Sequence, residues 1–288
     1  MENKPLVKQG WLRVLIFIIP YLMMTVLFST LVMLVAHIID PSVKTDADST
    51  SALMAGHLWI VALVNTLAAV TTTWLFRKYI DKKSFESLGF GWQGYENHAW
   101  TGFFSGVSML GIGTLLLVVT GYLKFRGFDI NLETIVINIA VMAFVALSEE
   151  LVVRGYLLNN LMQSMNKWVA LVLSAVVFAS MHLSNPDIGI LPFIEIFIGG
   201  IMLGINYIYT RNLWFGIFLH FSWNFLQGPV LGYGVSGLKI SSVMQQTMQG
   251  PDLLTGGVFG FEGSVLAMVL NIVLILILVL VYRRKLAE

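Results

Sequence analysis

Glu149, Glu150 and Arg154 stand inside the run Ala143–Gly155, which otherwise reads as lipid-compatible helix. Charge in hydrocarbon costs roughly 2.5–3.5 kcal/mol per group on insertion scales, so such groups face a bundle interior and have a task. On a helix Glu150 and Arg154 are i and i+4 and can pair. Glu149 points about 100° away and is left over for another partner. Further along, His182 and His220 fall in apolar runs, Asn224 follows His220 by four, and Phe178 precedes His182 by four. The i, i+4 spacing puts each couple on one helix face. A carboxylate, two imidazoles and an amide at one depth can activate a water and stabilise an oxyanion. Glu149, His182 and His220 are also a ligand set that holds zinc with an open position in some hydrolases. The remaining histidines, His37, His57 and His98, lie at span ends or in a connector, where a wet imidazole needs no explanation.

The elements that must position these groups are membrane helices. The chain has 288 residues, 57% hydrophobic and 11% charged, with a mean hydropathy of +0.81. Soluble domains run near 25% charged, so the expected fold is all-α and polytopic. Runs near 20 apolar residues mark about eight transmembrane helices, at 12–39, 56–76, 99–122, 132–155, 167–183, 190–210, 213–228 and 263–283. The first run is too long for a signal-peptide core and is read as an uncleaved span. Cysteine is absent, which removes thiolate catalysis, thiolate metal sites and disulfides. A net charge of +1 without a basic, aromatic-laced stripe gives no sign of nucleic acid as a partner.

Depth brings the polar residues together. The turn Ser164–Lys167 has its midpoint 16.5 positions from both Glu149 and His182. A hairpin there sets the two at equal depth, provided the helix runs past Arg154 to Leu161. The next turn on the same side, Thr210–Asn212, is about nine residues, roughly 13 Å, from His220. With some protrusion of the first hairpin, all three meet in the cytoplasmic half of the bilayer. With an even number of spans, the side carrying both termini holds thirteen Lys and Arg against four on the other, so both termini are expected in the cytoplasm.

Three sections follow: N-terminal helices and connectors over 1–131, a core over 132–228, and a loop with a final helix over 229–288. Asp40–Ser51 is expected to be an exposed loop, and Pro229–Gly263 a long, flexible Gly/Ser-rich one. Within it Gly234-Val235-Ser236-Gly237 matches a short serine-protease string but precedes no usable histidine. Glu195 in the sixth span and Asn271 in the eighth are intramembrane polar groups that stand alone.

Glu149-Glu150-x-x-x-Arg154, Phe178-x-x-x-His182 and His220-x-x-x-Asn224 resemble the three motifs of the CPBP (Abi) intramembrane proteases, related to the type II CAAX prenyl endopeptidases. The resemblance covers roughly 132–228, in family order and spacing, and no motif residue departs from the pattern. It implies a multi-helix fold around a conical cavity open to the cytoplasm and to lipid, in a membrane expected to be a bacterial cell membrane. It assigns Glu149 as the base, His182 as a holder of the water, His220 and Asn224 as the oxyanion site, and Glu150 with Arg154 as helix support beside Phe178. The expected function is endopeptidase cleavage of a peptide or lipidated protein substrate. No cofactor is required by it, and a divalent metal such as zinc on Glu149, His182 and His220 stays open. Two other functions use the same residues: a membrane binding or immunity protein without turnover, and a proton-coupled transporter.

Overall fold

The computed structural model describes residues 4–44, 46 and 57–287. Half of the loop expected over Asp40–Ser51 lies outside the described residues. Eight main helices follow in order: α1 (Gly10–Ile39), α2 (Leu58–Leu75), α3 (Glu96–Val119), α4 (Leu132–Glu150), α5 (Lys167–Met181), α6 (Ile190–Ile205), α7 (Trp214–Phe225) and α8 (Val265–Ala287). Their positions follow the apolar runs. Six of them, with their extensions, are long and apolar enough to cross a membrane. The exceptions are α5, with 15 residues, and α7, with 12. At 1.5 Å per residue α5 is about 22 Å long, short of a hydrocarbon core of about 30 Å. The count of eight crossings is therefore six by length and composition, and the two short helices are those that end at His182 and carry His220. Enclosure explains how α7 can be short: most of its residues are buried against other helices.

Glycine lets α7 sit so deep. Gly102 and Gly106 on α3 are four apart, and a Cβ at Gly102 would lie 2.3 Å from the Phe215 carbonyl oxygen. One at Gly106 would lie 2.1 Å from the Ser222 hydroxyl. This is the small-x-x-x-small contact by which membrane helices approach closely. On the outside, α1 presents only Gly10, Arg13, Val14 and Phe17 of its first half to the bundle, an i, i+3, i+4, i+7 stripe.

The fourth helix runs well past its expected end. Asn131 caps it by accepting from the Thr134 N–H at 3.0 Å. After Glu150 the backbone becomes π-helical over Leu151–Leu158 and returns to α over Asn159–Leu161. Every residue from 150 to 161 is buried. The extension that the hairpin argument required is thus packed in protein rather than projecting free.

The all-α expectation holds for most of the chain, with two local departures. Leu123–Phe128 (β1) pairs antiparallel with Met244–Met248 (β2), Leu123 opposite Met248. Strands this short, about 120 residues apart, leave no trace in a hydropathy window. The 229–263 stretch is also no slack loop. Val235 and Leu238 bridge across Ser236 and Gly237, both with positive φ (49° and 81°), the signature of a type I′ hairpin turn. Gly237 has no alternative there, since a Cβ would lie 2.1 Å from the Pro186 carbonyl oxygen.

Both chain ends share one end of the bundle. The Leu6 N–H donates to the Ile80 carbonyl at 2.8 Å, and Gly10 N–H to Ser164 Oγ at 2.6 Å. Tyr282 stacks on Tyr209 with centroids 4.6 Å apart. The connector after α2 meets the α6–α7 turn at the same end, where Leu213 N–H donates to Gly89 O at 3.0 Å. Arg13, Arg77 and Arg154, three of the thirteen basic residues assigned to that side, are inside the protein. Asp81 joins the first two, 3.1 Å from Arg13 Nη1 and 2.8 Å from Arg77 Nη1, with all three side chains at most 2% exposed. Sequence reasoning took Arg13 and Arg77 as loop charges and overlooked Asp81.

Candidate active site

Glu149 and Glu150 end the regular part of α4, and their side chains diverge as the helical wheel requires. Glu150 is fully buried. Its Oε1 accepts from Arg154 Nη1 at 2.7 Å and from His220 Nδ1 at 3.2 Å. Arg154 is held further by the Gly200 carbonyl at 2.9 Å and lies 4.5 Å from the centre of the Phe178 ring. Phe178 touches both imidazoles, with ring centroids 4.9 Å from His182 and 6.1 Å from His220. The expected ion pair is present. Glu150 additionally reaches His220, which the sequence did not indicate. Gly216, one turn before His220, permits this: a Cβ there would sit 2.7 Å from Glu150 Oε2.

Glu149 takes the other side of His220. Its Oε2 lies 3.8 Å from His220 Nε2, and this oxygen is shielded from solvent without a hydrogen-bond partner. The protonation pattern follows from the partners. A carboxylate only accepts, so Nδ1 of His220 must donate to Glu150, and Nε2 of the neutral ring carries a lone pair. His182 behaves alike, because its Nδ1 faces the Phe178 carbonyl at 2.9 Å. Rather than lying within its helix, His182 follows the last turn of α5, and the Nδ1–H satisfies one of that helix's terminal carbonyls. In their neutral forms both rings therefore offer an acceptor at Nε2. The oxyanion contact expected of His220 needs a protonated ring, whereas the Asn224 amide is a donor in any state.

Glu149, His182, His220 and Asn224 all line one cavity of about 320 Å³, within the usual range for a ligand site. Leu58, Val61, Val141, Met142 and Val145 form an apolar wall on α2 and α4. Asn185, Ser236 and Glu262, from connectors remote from the chain termini, line it as well. The cavity thus extends toward the end of the bundle opposite both termini, not toward the end that the charge count assigns to the cytoplasm. The difference arises because α5 ends at His182, placing the histidine at a helix end rather than mid-span.

Among the described residues, no group of three or more His, Cys, Asp or Glu side chains is placed to hold a metal ion. Glu149, His182 and His220 as arranged do not fit the zinc set considered for them.

Several cavity residues escaped sequence reasoning. Glu195 and Asn271 do not stand alone: the Asn271 amide donates to Glu195 Oε1. Glu262 accepts from the Ser236 backbone N–H. Burial pushes the Glu262 carboxyl above its ordinary range, and the hydrogen bonds from Ser236 oppose that shift. The Gly-Val-Ser-Gly string is thereby the cavity's hairpin rim. Only Glu262, an acid just before the last apolar run, left a signal that could have been followed.

Residues 131–226 match the family model described as type II CAAX prenyl endopeptidase Rce1-like. The match spans about a third of the chain, from the α4 cap to the end of α7, and includes all three motifs. It is the group that those motifs resemble, and it supports a function of the CAAX-type intramembrane protease kind in an integral membrane protein. No curated protein and no solved structure matches the chain.

Proposed function

We propose that the chain is an intramembrane endopeptidase in which Glu149 activates water. One observation carries the reading. With His220 neutral, Glu149 Oε2 and His220 Nε2 are two acceptors facing each other at 3.8 Å, with His220 fixed from behind by Glu150 at 3.2 Å. Two acceptors at that spacing are matched to one molecule with two hydrogens to give, and water at about 2.8 Å from each satisfies both. Glu149 takes one proton as the water oxygen bonds to the scissile carbonyl carbon. The carbonyl oxygen becomes an oxyanion, for which the Asn224 amide is a donor. The C–N bond then breaks as Glu149 returns its proton to the leaving amine. His182 lines the same cavity, and Glu150 keeps His220 in the required tautomer. The substrate is a peptide segment, free or lipidated, of a membrane-bound or membrane-delivered protein.

The test is cleavage of a panel of peptides and lipidated peptides by purified protein in nanodiscs, with and without chelator. The expected result is cleavage by wild type and a loss on the order of 10²–10⁴ in rate for Glu149→Gln. No cleavage of any panel member, or equal rates for the two proteins, overturns the proposal in favour of a binding or transport role.

A further inference from the structure

Opposite the α4–α7 wall, the same cavity has a second polar wall that the proposed hydrolysis does not use. Glu195 on α6 and Asn271 on α8 are 2% and 1% exposed, and Glu262 in the turn before α8 is 8% exposed. All three line the cavity. The donors shown here point at acceptors of the same wall. One hydrogen of the Asn271 amide goes to Glu195, the Ser236 N–H gives to Glu262, and Gln227 Nε2 gives one hydrogen to the Gly234 carbonyl at 2.7 Å. Asn271 Oδ1 is withdrawn from solvent and has no partner, although a buried amide oxygen is ordinarily paired.

The charge of the cavity points the same way. Its lining includes three carboxylates, Glu149, Glu195 and Glu262, and no lysine or arginine. The Arg154 guanidinium is held by Glu150, Gly200 and the Phe178 face. A bare metal ion does not suit the second wall, because its acids join no group of three placed to hold one. An extended cation with several N–H donors does suit acceptors spread over two helices and a turn.

We propose that Glu195, Asn271 and Glu262 form a subsite for a basic group of the substrate, a lysine or arginine side chain or a free amino terminus. The subsite rests on the endopeptidase reading and adds a substrate class to it: peptides with a cation near the bond that Glu149 attacks. In the cavity that cation favours the ionised forms of Glu195 and Glu262, pairs with Glu195 and donates to Asn271 Oδ1. Removing one partner of a buried, hydrogen-bonded charge pair changes affinity strongly, on the order of 10²-fold.

The experiment varies the substrate first, which needs no protein variant. Peptides cleaved by wild type are resynthesised with each lysine replaced by norleucine, each arginine by citrulline, or the amino terminus acetylated. One such replacement should lower kcat/KM by on the order of 10²-fold. Glu195→Gln and Asn271→Leu should bring the ratio between basic and neutral peptides close to one while still cleaving the neutral peptide, with melting temperature recorded for each. Neutral replacements all tolerated within about twofold, or full preference kept in both variants, overturn the subsite while leaving the endopeptidase intact. If no peptide is cleaved, the endopeptidase reading fails on its own. The subsite is then judged by fluorescence anisotropy of labelled lysine and norleucine peptides on the protein, where equal affinities refute it.

Discussion

Replacing Glu150 by Gln separates the two duties of this side chain. One oxygen, Oε1, serves both Arg154 at 2.7 Å and His220 at 3.2 Å, and neither Glu150 nor Arg154 is more than 1% exposed. A Gln keeps the shape and one acceptor but removes the charge, leaving the guanidinium with the Gly200 carbonyl and the Phe178 face. Breaking a buried pair from one side costs about 3–5 kcal/mol. At about 2–4 °C per kcal/mol the melting temperature should fall by roughly 6–20 °C. Removing both charges, in Glu150→Gln with Arg154→Met, should recover most of that loss, because a neutral pair of similar volume carries no stranded ion. Turnover should not recover, since His220 Nδ1 still lacks its carboxylate. Melting temperature and peptide cleavage of the two single variants and the double variant form the assay. Recovery of both stability and cleavage in the double variant would refute the orienting role of Glu150. Lost cleavage in Glu150→Gln with an unchanged melting temperature would mean that the two glutamates have exchanged roles.

Glu149→Gln should melt within about 2 °C of wild type, since Oε2 has no partner to lose, and should cleave the panel slower by on the order of 10²–10⁴. Gly216→Ala places a Cβ 2.7 Å from Glu150 Oε2 and should cost about 1–3 kcal/mol by overpacking, with activity falling further than stability; a calorimetric scan beside the cleavage assay reads both. Asp81→Asn strands Arg13 and Arg77 and should destabilise by about 3–5 kcal/mol, while the Michaelis constant of the surviving folded protein stays at the wild-type value. Because the chain has no cysteine, single cysteines at Glu86 and Lys239 report sidedness directly. An impermeant maleimide applied from outside intact cells should label Lys239→Cys and spare Glu86→Cys, and the reverse pattern would overturn the thirteen-to-four orientation.

Helix positions were legible because hydrophobic runs of membrane length are long-range signals that survive any local detail. The three motifs were legible because i, i+4 spacing fixes shared faces before any tertiary contact is known. What the sequence hid were contacts made across chain distance. Asp81 looks like one more connector charge until α1 and the π-helical turn Phe76–Ile80 that follows α2 bring two arginines to it. The Glu195–Asn271 pair joins residues 76 apart on separate helices, with no periodicity linking them. The Gly-Val-Ser-Gly string looked slack because glycine and serine composition cannot distinguish a free loop from a type I′ turn pinned against Pro186. Hydropathy also does not reveal that α5 stops at His182.

The 76-residue separation of Glu195 and Asn271 also sets a schedule for biogenesis. A ribosome adding about 5–20 residues per second makes the intervening chain in roughly 4–15 s. Once Asn224 is made within that interval, α4 to α7 can insert with every motif residue synthesised, while Glu195 still waits without its amide. Glu262 and its contact with Ser236 also arrive only with the approach to α8. The second wall therefore closes last, when the final helix docks. A nascent chain holds the hydrolytic residues before it holds the surface proposed to choose what they cut, and docking of the C-terminal helix is the event that turns an incomplete cavity into a selective one.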